Sequence, residues 1–248
     1  MTTDQNDQSV PSPRGEDTAL VVTPLSEVIV ENPLDIRWEV PAQFHSLGVE
    51  LPEEEREAHL AEVSEEIWSG GTEYQRTTVA AWYRDVADTA VEAGAVYSGF
   101  LIARTADDRA TVATLLVQAD HADTQDADAV ASSLLEMLSA DPANDVFDVT
   151  APVGPVVVSA FGTVAEFDDG AGGKTELTLA QASAYIPVPR ADTLLTVTIS
   201  TPTLEDFPEY MGMLAMLVDS VVHDEPGAEP QAPGPDQESS SRITEMFG

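Results

Sequence analysis

The side chains that could carry chemistry are four histidines and forty-five Asp and Glu. His45, His59, His121 and His223 are not spaced three or four apart, and none sits in a His-Glu-x-x-His frame, so the helical zinc pattern is missing. The chain holds no cysteine, which removes disulfides, thiolate metal sites, iron–sulfur clusters and a thiol nucleophile. Asp120-His121-Ala122-Asp123, followed by Asp126 and Asp128, offers oxygens and one imidazole to a hard divalent cation. The stretch lacks the central glycine and final glutamate of a calcium loop. It reads instead as an acidic strand-to-helix connection with Asp126 near the N-cap. No Gly-x-Ser-x-Gly elbow presents a serine nucleophile. Gly70-Gly71 and the glycines from Gly170 to Gly173 lack the lysine-bearing, helix-opening context that cradles phosphates, because Lys174 leads into a strand. Catalytic, cofactor-binding and metal-ligating residues are therefore assigned to none, and no cofactor is expected.

The elements that would position any site follow from periodicity. Ile36 to Pro41 alternates apolar and polar and reads as a strand. Pro52 with Glu53, Glu54, Glu55 and Glu57 reads as a helix start, since proline suits the first turn and carboxylates favour its positive end. Leu60, Val63 and Ile67 supply its apolar stripe. After Gly70-Gly71, Thr72 caps a second helix running to about Ala93, with Gly94 as its stop. Val79, Trp82, Tyr83, Val86 and Ala90 recur at helical spacing and are expected in the core. Ala95 to Arg104 and Thr111 to Gln118 make a hairpin. Val130, Leu134, Leu135 and Leu138 mark a third helix. Val156 to Phe167, Glu176 to Ile186 and Thr193 to Thr201 read as strands. Tyr210, Met213, Leu214, Leu217, Val218 and Val221 mark a last helix. The fold class expected is α+β, a mainly antiparallel sheet covered by helices, with disordered N- and C-terminal tails.

Composition bounds the partners. Ten Lys and Arg against forty-five Asp and Glu give a formal charge of −35, and the pI is about 4.1. Nucleic acid and anionic membrane are excluded as natural partners, because both are bound through Lys and Arg. At 43% hydrophobic residues the chain can still bury a core. No apolar run reaches membrane-spanning length. The first residues have neither a basic n-region nor an apolar h-region, so a cytoplasmic location is expected. Residues 1–18 read as a polar arm, 19–223 as a single α+β domain, and 224–248 as a Pro/Glu/Ser-rich tail with a short apolar end. That end carries Ile243, Met246 and Phe247, which a helix would gather on one face as a partner-binding motif.

Two resemblances add to this reading. Trp68-Ser69-Gly70 lies between two helices and resembles the Trp-x-Gly turn of the small helical-hairpin substrates of type VII secretion. No Tyr-x-x-x-Asp/Glu follows at Tyr74, Tyr83, Tyr97 or Tyr210, so the chain is not read as such a substrate. The longer layout runs from Trp38-Glu39-Val40-Pro41 through a charged helical region to Ala93-Gly94-Ala95-Val96-Tyr97-Ser98-Gly99. A strand pair follows, and then Ser200-Thr201-Pro202-Thr203-Leu204-Glu205-Asp206-Phe207-Pro208-Glu209-Tyr210. This resembles uncharacterised actinobacterial proteins encoded near type VII secretion genes, and its closing strand-to-helix element resembles the PsbP/LpqN-like α/β/α sandwich. The resemblance implies a binding or assembly role rather than catalysis. The expectation is a non-enzymatic accessory or adaptor protein with a protein partner. The competing expectations are an enzyme or small-ligand binder without a linear motif, and an acidic decoy for a basic partner. The absence of a signal peptide or lipobox cysteine counts against an exported lipoprotein.

With this charge, self-repulsion opposes folding and salt relieves it. The thermal unfolding midpoint is expected to rise as sodium chloride is added. A calorimetric midpoint that falls instead would mean that attractive ion pairs dominate.

Overall fold

The computed structural model describes residues 35–168 and 173–223. The terminal segments 1–34 and 224–248, including Ile243, Met246 and Phe247, lie outside the described residues, as does 169–172 in the glycine-rich turn. In chain order the elements are β1 (Ile36–Arg37), β2 (His45–Ser46), α1 (Glu53–Ile67), α2 (Glu73–Glu92), β3 (Ala95–Arg104), β4 (Ala110–His121), α3 (Ala127–Ser139), β5 (Asp145–Ala151), β6 (Gly154–Asp168), β7 (Lys174–Val188), β8 (Thr193–Thr201), α4 (Phe207–Ser220) and β9 (Val222–His223). Seven strands form one sheet in the order β2-β3-β4-β8-β7-β6-β5, and each neighbouring pair is antiparallel. β1 and β9 pair separately. No helix among the described residues is long and apolar enough to cross a membrane.

Local chemistry explains where the helices begin and stop. Thr72 and Gln75 make a capping box: the Gln75 amide donates to Thr72 Oγ1 at 3.3 Å and the Thr72 amide to Gln75 Oε1 at 2.9 Å. Two amides that α2 cannot satisfy internally are thereby paired. α2 gives way to β3 through Gly94, at φ +78°, a conformation only glycine adopts without strain. Asp126 caps α3 by accepting from the Ala129 amide at 2.9 Å, as the sequence predicts. α1 starts after Pro52 with three glutamates in its first turn.

β8 shows how the sheet divides its faces. Thr193, Leu195, Val197, Ile199 and Thr201 are buried, while the alternate residues are only half-buried. The buried set shares a first face with Leu115, Val117, Val156, Val158, Ala182 and Ile186. α4 closes this face with Tyr210, Met211, Met213, Leu214, Leu217 and Val218. With Ala215 also buried, the apolar arc of α4 is wider than a sheet on one side covers, so a second cover is needed. The segment carrying Ile36, Trp38 and Val40 provides it, held by the β1–β9 pair and by the Glu39 amide donating to Ser220 Oγ at 2.9 Å.

The opposite face is covered at its two ends. Phe100 packs with Leu47, Leu60, Val63 and Ala87 beneath the α1–α2 hairpin, its ring 4.5 Å from that of Tyr83. Arg56 of α1 binds Asp88 of α2 at 2.9 Å and steadies that hairpin. α3 lies across β5, β6 and β7. It contributes nothing to the first-face core, and Val157, Ser159 and Ser183 on the opposite face are fully buried. The layers are thus helix, sheet and helix, an α/β fold with a mainly antiparallel sheet and, among the described residues, four α-helices.

Three expectations are corrected. Trp82 and Val86 are not core: they are 70% and 51% exposed. The buried residues of α2 are Ala87 and Ala90, with Tyr83 half-buried beside them. Two overlapping stripes fit the same helical period. The one rich in alanine wins because its short side chains let α2 approach α1 and β3 closely. The strand expected over Ile36 to Pro41 shrinks to Ile36–Arg37, since Trp38 and Val40 serve as plugs over α4 rather than ladder residues. β5 is an added strand that the sequence reading passed over.

Trp82→Ala is therefore expected to change stability by no more than about 0.5 kcal/mol, as at other surface positions. Ala87→Leu should cost about 1–3 kcal/mol through overpacking. Urea unfolding of both variants checks the order; a larger loss at Trp82 would restore the original stripe.

Candidate functional site

Two places gather side chains. The first is polar and lies where the β3–β4 turn meets the start of α4. Arg109 Nη2 donates to Asp206 Oδ1 at 2.8 Å and Nε to Asp107 Oδ2 at 2.7 Å, while Nη1 reaches Glu205 at 3.2 Å. Asp206 is buried, at 4% exposure. Next to it the Thr111 and Tyr210 hydroxyls meet at 2.6 Å, and Thr201 Oγ1 donates to the Val112 carbonyl at 2.6 Å. Burial pushes the Tyr210 hydroxyl up from its ordinary pKa, against the opposing effect of its bond to Thr111. The hydrogen bond from the Thr105 hydroxyl, then that from Arg109, holds the Asp107 carboxyl below the usual carboxylate range. Asp206 and Asp107 together hold the Arg109 guanidinium charged. These groups tie the first turn of α4 to β4 and β8, and Asp206 Oδ2 is left buried without a hydrogen-bond partner.

The second place is an apolar groove of about 800 Å³ on the incompletely covered face. Its floor is Phe100 and Ile102 of β3, Val112, Thr114 and Leu116 of β4, and Ser200 of β8. One wall is α2, through Val86, Thr89, Ala90 and Ala93. The other is Leu177 and Leu179 on β7. That wall exists because β6 and β7 outrun their neighbours. β5 stops pairing at Ala160 and β8 at Ala180, so Thr163–Asp168 and Lys174–Leu179 pair only with each other. Thr163 opposes Leu179 and Ala165 opposes Leu177, which places the apolar side of this ribbon on the groove's face. Lys174 Nζ bonds Glu166 Oε2 at 2.6 Å across the ribbon.

Large apolar side chains stay open to solvent here: Val86, Ile102 at 44% and Leu177 at 38%. Together they leave an apolar surface open to solvent around the groove. Among the described residues, Asp85 is the one charged side chain lining the groove. Gly99 forms part of the lining and has to be glycine. A Cβ there would stand 2.8 Å from the Tyr97 hydroxyl and 3.1 Å from the His45 carbonyl.

The sequence's candidate residues distribute differently. The histidines do not converge. His59 Nε2 pairs with the Ser46 carbonyl at 2.9 Å, the His45 ring tilts against Phe100 at 5.7 Å, and His121 and His223 sit in separate strands. Among the described residues no group of three or more His, Asp or Glu could hold a metal ion. Ile243, Met246 and Phe247 lie outside the described residues. The groove residues were missed, although a signal was present. Leu115 and Leu116 are consecutive in β4, and Leu177 and Leu179 fall at alternate positions of β7, so apolar side chains occur on both faces of the sheet.

The chain matches no family model, no curated protein and no solved structure among known proteins.

The Asp107 shift has a pH consequence. A carboxyl whose pKa is depressed by folding stabilises the fold fully above its unfolded pKa, and this is lost as pH falls through the folded value. Thr105→Val removes the leading cause, so the Asp107 pKa should rise and acid unfolding should move to higher pH. Carboxyl NMR titration reads the first effect and circular dichroism the second. An unchanged Asp107 titration would assign the shift to Arg109 alone.

Proposed function

We propose that the protein is a non-enzymatic accessory or adaptor protein that docks an apolar helical face of a protein partner in the groove between α2 and the β6–β7 ribbon. The observation that carries this reading is the exposure of Val86, Ile102 and Leu177 around one elongated apolar floor. Helix-in-groove recognition needs such a surface and little else. In the floor, β4 from Thr114 to Gln118 is paired on both sides, by β3 and β8, so an extended peptide finds no free edge along that stretch. A formal charge of −35 selects an occupant with basic flanks and speeds its encounter.

The layered arrangement also supports a PsbP/LpqN-like sandwich, in which a closing strand runs into a covering helix as β8 runs into α4. Association with type VII secretion in an actinobacterium, and a cytoplasmic location, rest on the sequence resemblance and on sequence features. They are part of the same proposal. Genomic neighbours of the coding sequence test the secretion link.

The docking reading is tested with the full chain and two synthetic amphipathic helices, one of leucine and lysine, one of leucine and glutamate. The basic peptide should bind one to one by calorimetry. Val86→Asp or Ile102→Asp should weaken it at least tenfold, about 1.4 kcal/mol, without lowering the unfolding midpoint. The acidic peptide should not bind. Basic-peptide binding that ignores both substitutions would place the interaction on the general acidic surface and sink the groove.

A further inference from the structure

Resting on the reading of the groove as a helix-docking site, we infer that its resident occupant is the chain's own segment Arg242–Phe247, which lies outside the described residues. Residues 224–241 contain no apolar side chain larger than alanine or proline. Then Ile243, Met246 and Phe247 arrive together, spaced so that one helical turn presents all three on one side. The segment between them and the fold has the composition of a tether.

The tether's length suits the span. The described chain leaves the fold at β9, beside Pro152, Val153, Val188 and Pro189, at the end of the sheet where β8 begins. The groove lies by Ser200 and Pro202, where β8 ends. A strand the length of β8 covers about 30 Å. Twenty residues separate His223 from Ile243. A flexible coil of that length has a root-mean-square span of roughly 25 Å, and a fully extended one reaches about 65 Å. A tether whose average span is close to the distance required gives an effective concentration on the order of millimolar. A single docked turn of even millimolar affinity is then substantially occupied.

Charge agrees with this placement. Arg242 is the only basic residue after Arg190, and it directly precedes the apolar set. Docked, it would bring a guanidinium to the wall that carries Asp85. The other apolar runs outside the described residues, Leu20-Val21-Val22 and Val28-Ile29-Val30, are β-prone. No Lys or Arg lies between Arg14 and Arg37, so neither run carries an adjacent cation for Asp85 as the tail does. The groove therefore takes the tail, and a partner helix must displace it.

The absence of cysteine lets introduced pairs be read without background. In the full chain, Thr89→Cys with Gly248→Cys places one thiol on the groove wall and one beside the apolar set. Ser132→Cys with Gly248→Cys places the first on the exposed side of α3 as a reference. Under mild oxidation the Thr89 pair should close as a monomer at least tenfold faster than the Ser132 pair. Adding Met246→Asp and Phe247→Asp should erase the difference. Equal rates, a difference that survives the aspartates, or closure only between molecules would each overturn the inference.

A second measurement separates this from the underlying docking reading. The basic amphipathic peptide should bind the Met246→Asp, Phe247→Asp chain two- to tenfold more tightly than the unmodified chain. Equal binding to both, still lost in Val86→Asp, would refute the tail as occupant and leave the groove standing. No groove-dependent binding to either chain would remove both.

Discussion

The pairing of β4 with β8 holds the architecture together. It runs from Thr114 opposite Ser200 to His121 opposite Thr193 and joins a front module, β2 to β4, to a meander, β5 to β8. Neither module has a complete apolar face alone. Joined, they align Leu115 and Val117 with Ile199 and Val197 on the side that α4 covers. The same seam anchors α4 directly, because Thr111 of β4 meets Tyr210, and Arg109 meets Asp206 just before the helix. The long-range pairing and the covering helix thus reinforce one another. The entropy of closing so large a loop is offset by burying one continuous core.

A sheet of seven strands presents two faces, and the helices close only one of them fully. α1 and α2 cover the β3 end of the other face and α3 the β5 to β7 side. Between them the middle strands keep apolar side chains half in water. Elsewhere the same face carries Thr198, Ser183, Gln181 and Ser200, whose side chains bond one another in pairs. The contrast within one face gives the groove its outline: a polar stretch whose side chains pair with one another beside an apolar stretch left open to solvent.

Much of this was legible in the sequence. The β3–β4 hairpin, the Thr72 cap, the Asp126 cap and the buried stripe of α4 follow from local rules of spacing and hydrogen bonding, and they stand as read. The rest depends on tertiary choice. α2 offers two stripes of similar period, and nothing local says that Ala87 rather than Trp82 will face the sheet. β5 was overlooked because Asp145 and Asp148 interrupt its apolar pattern, which an edge strand tolerates and sequence periodicity does not reveal. The groove was hidden for a related reason. Val86 was assigned to a core on the assumption that every apolar helical stripe is covered. The ribbon that supplies its far wall depends on how far β6 and β7 outrun their neighbours, a matter of register between distant strands.

The cross-ribbon pair of Lys174 and Glu166 has a practical side. Lys174 is the chain's only lysine, and its side chain is 67% exposed. Amine-directed reagents, whether acylating dyes, biotin esters or a carboxylated sensor surface, thus have one lysine side chain to attack. It stands at the end of the ribbon that walls the groove. Coupling through it would fix the molecule by the rim of the groove and neutralise the cation that offsets Glu166. Attachment through an introduced thiol on the α4 side of the sheet would leave the groove turned to solution.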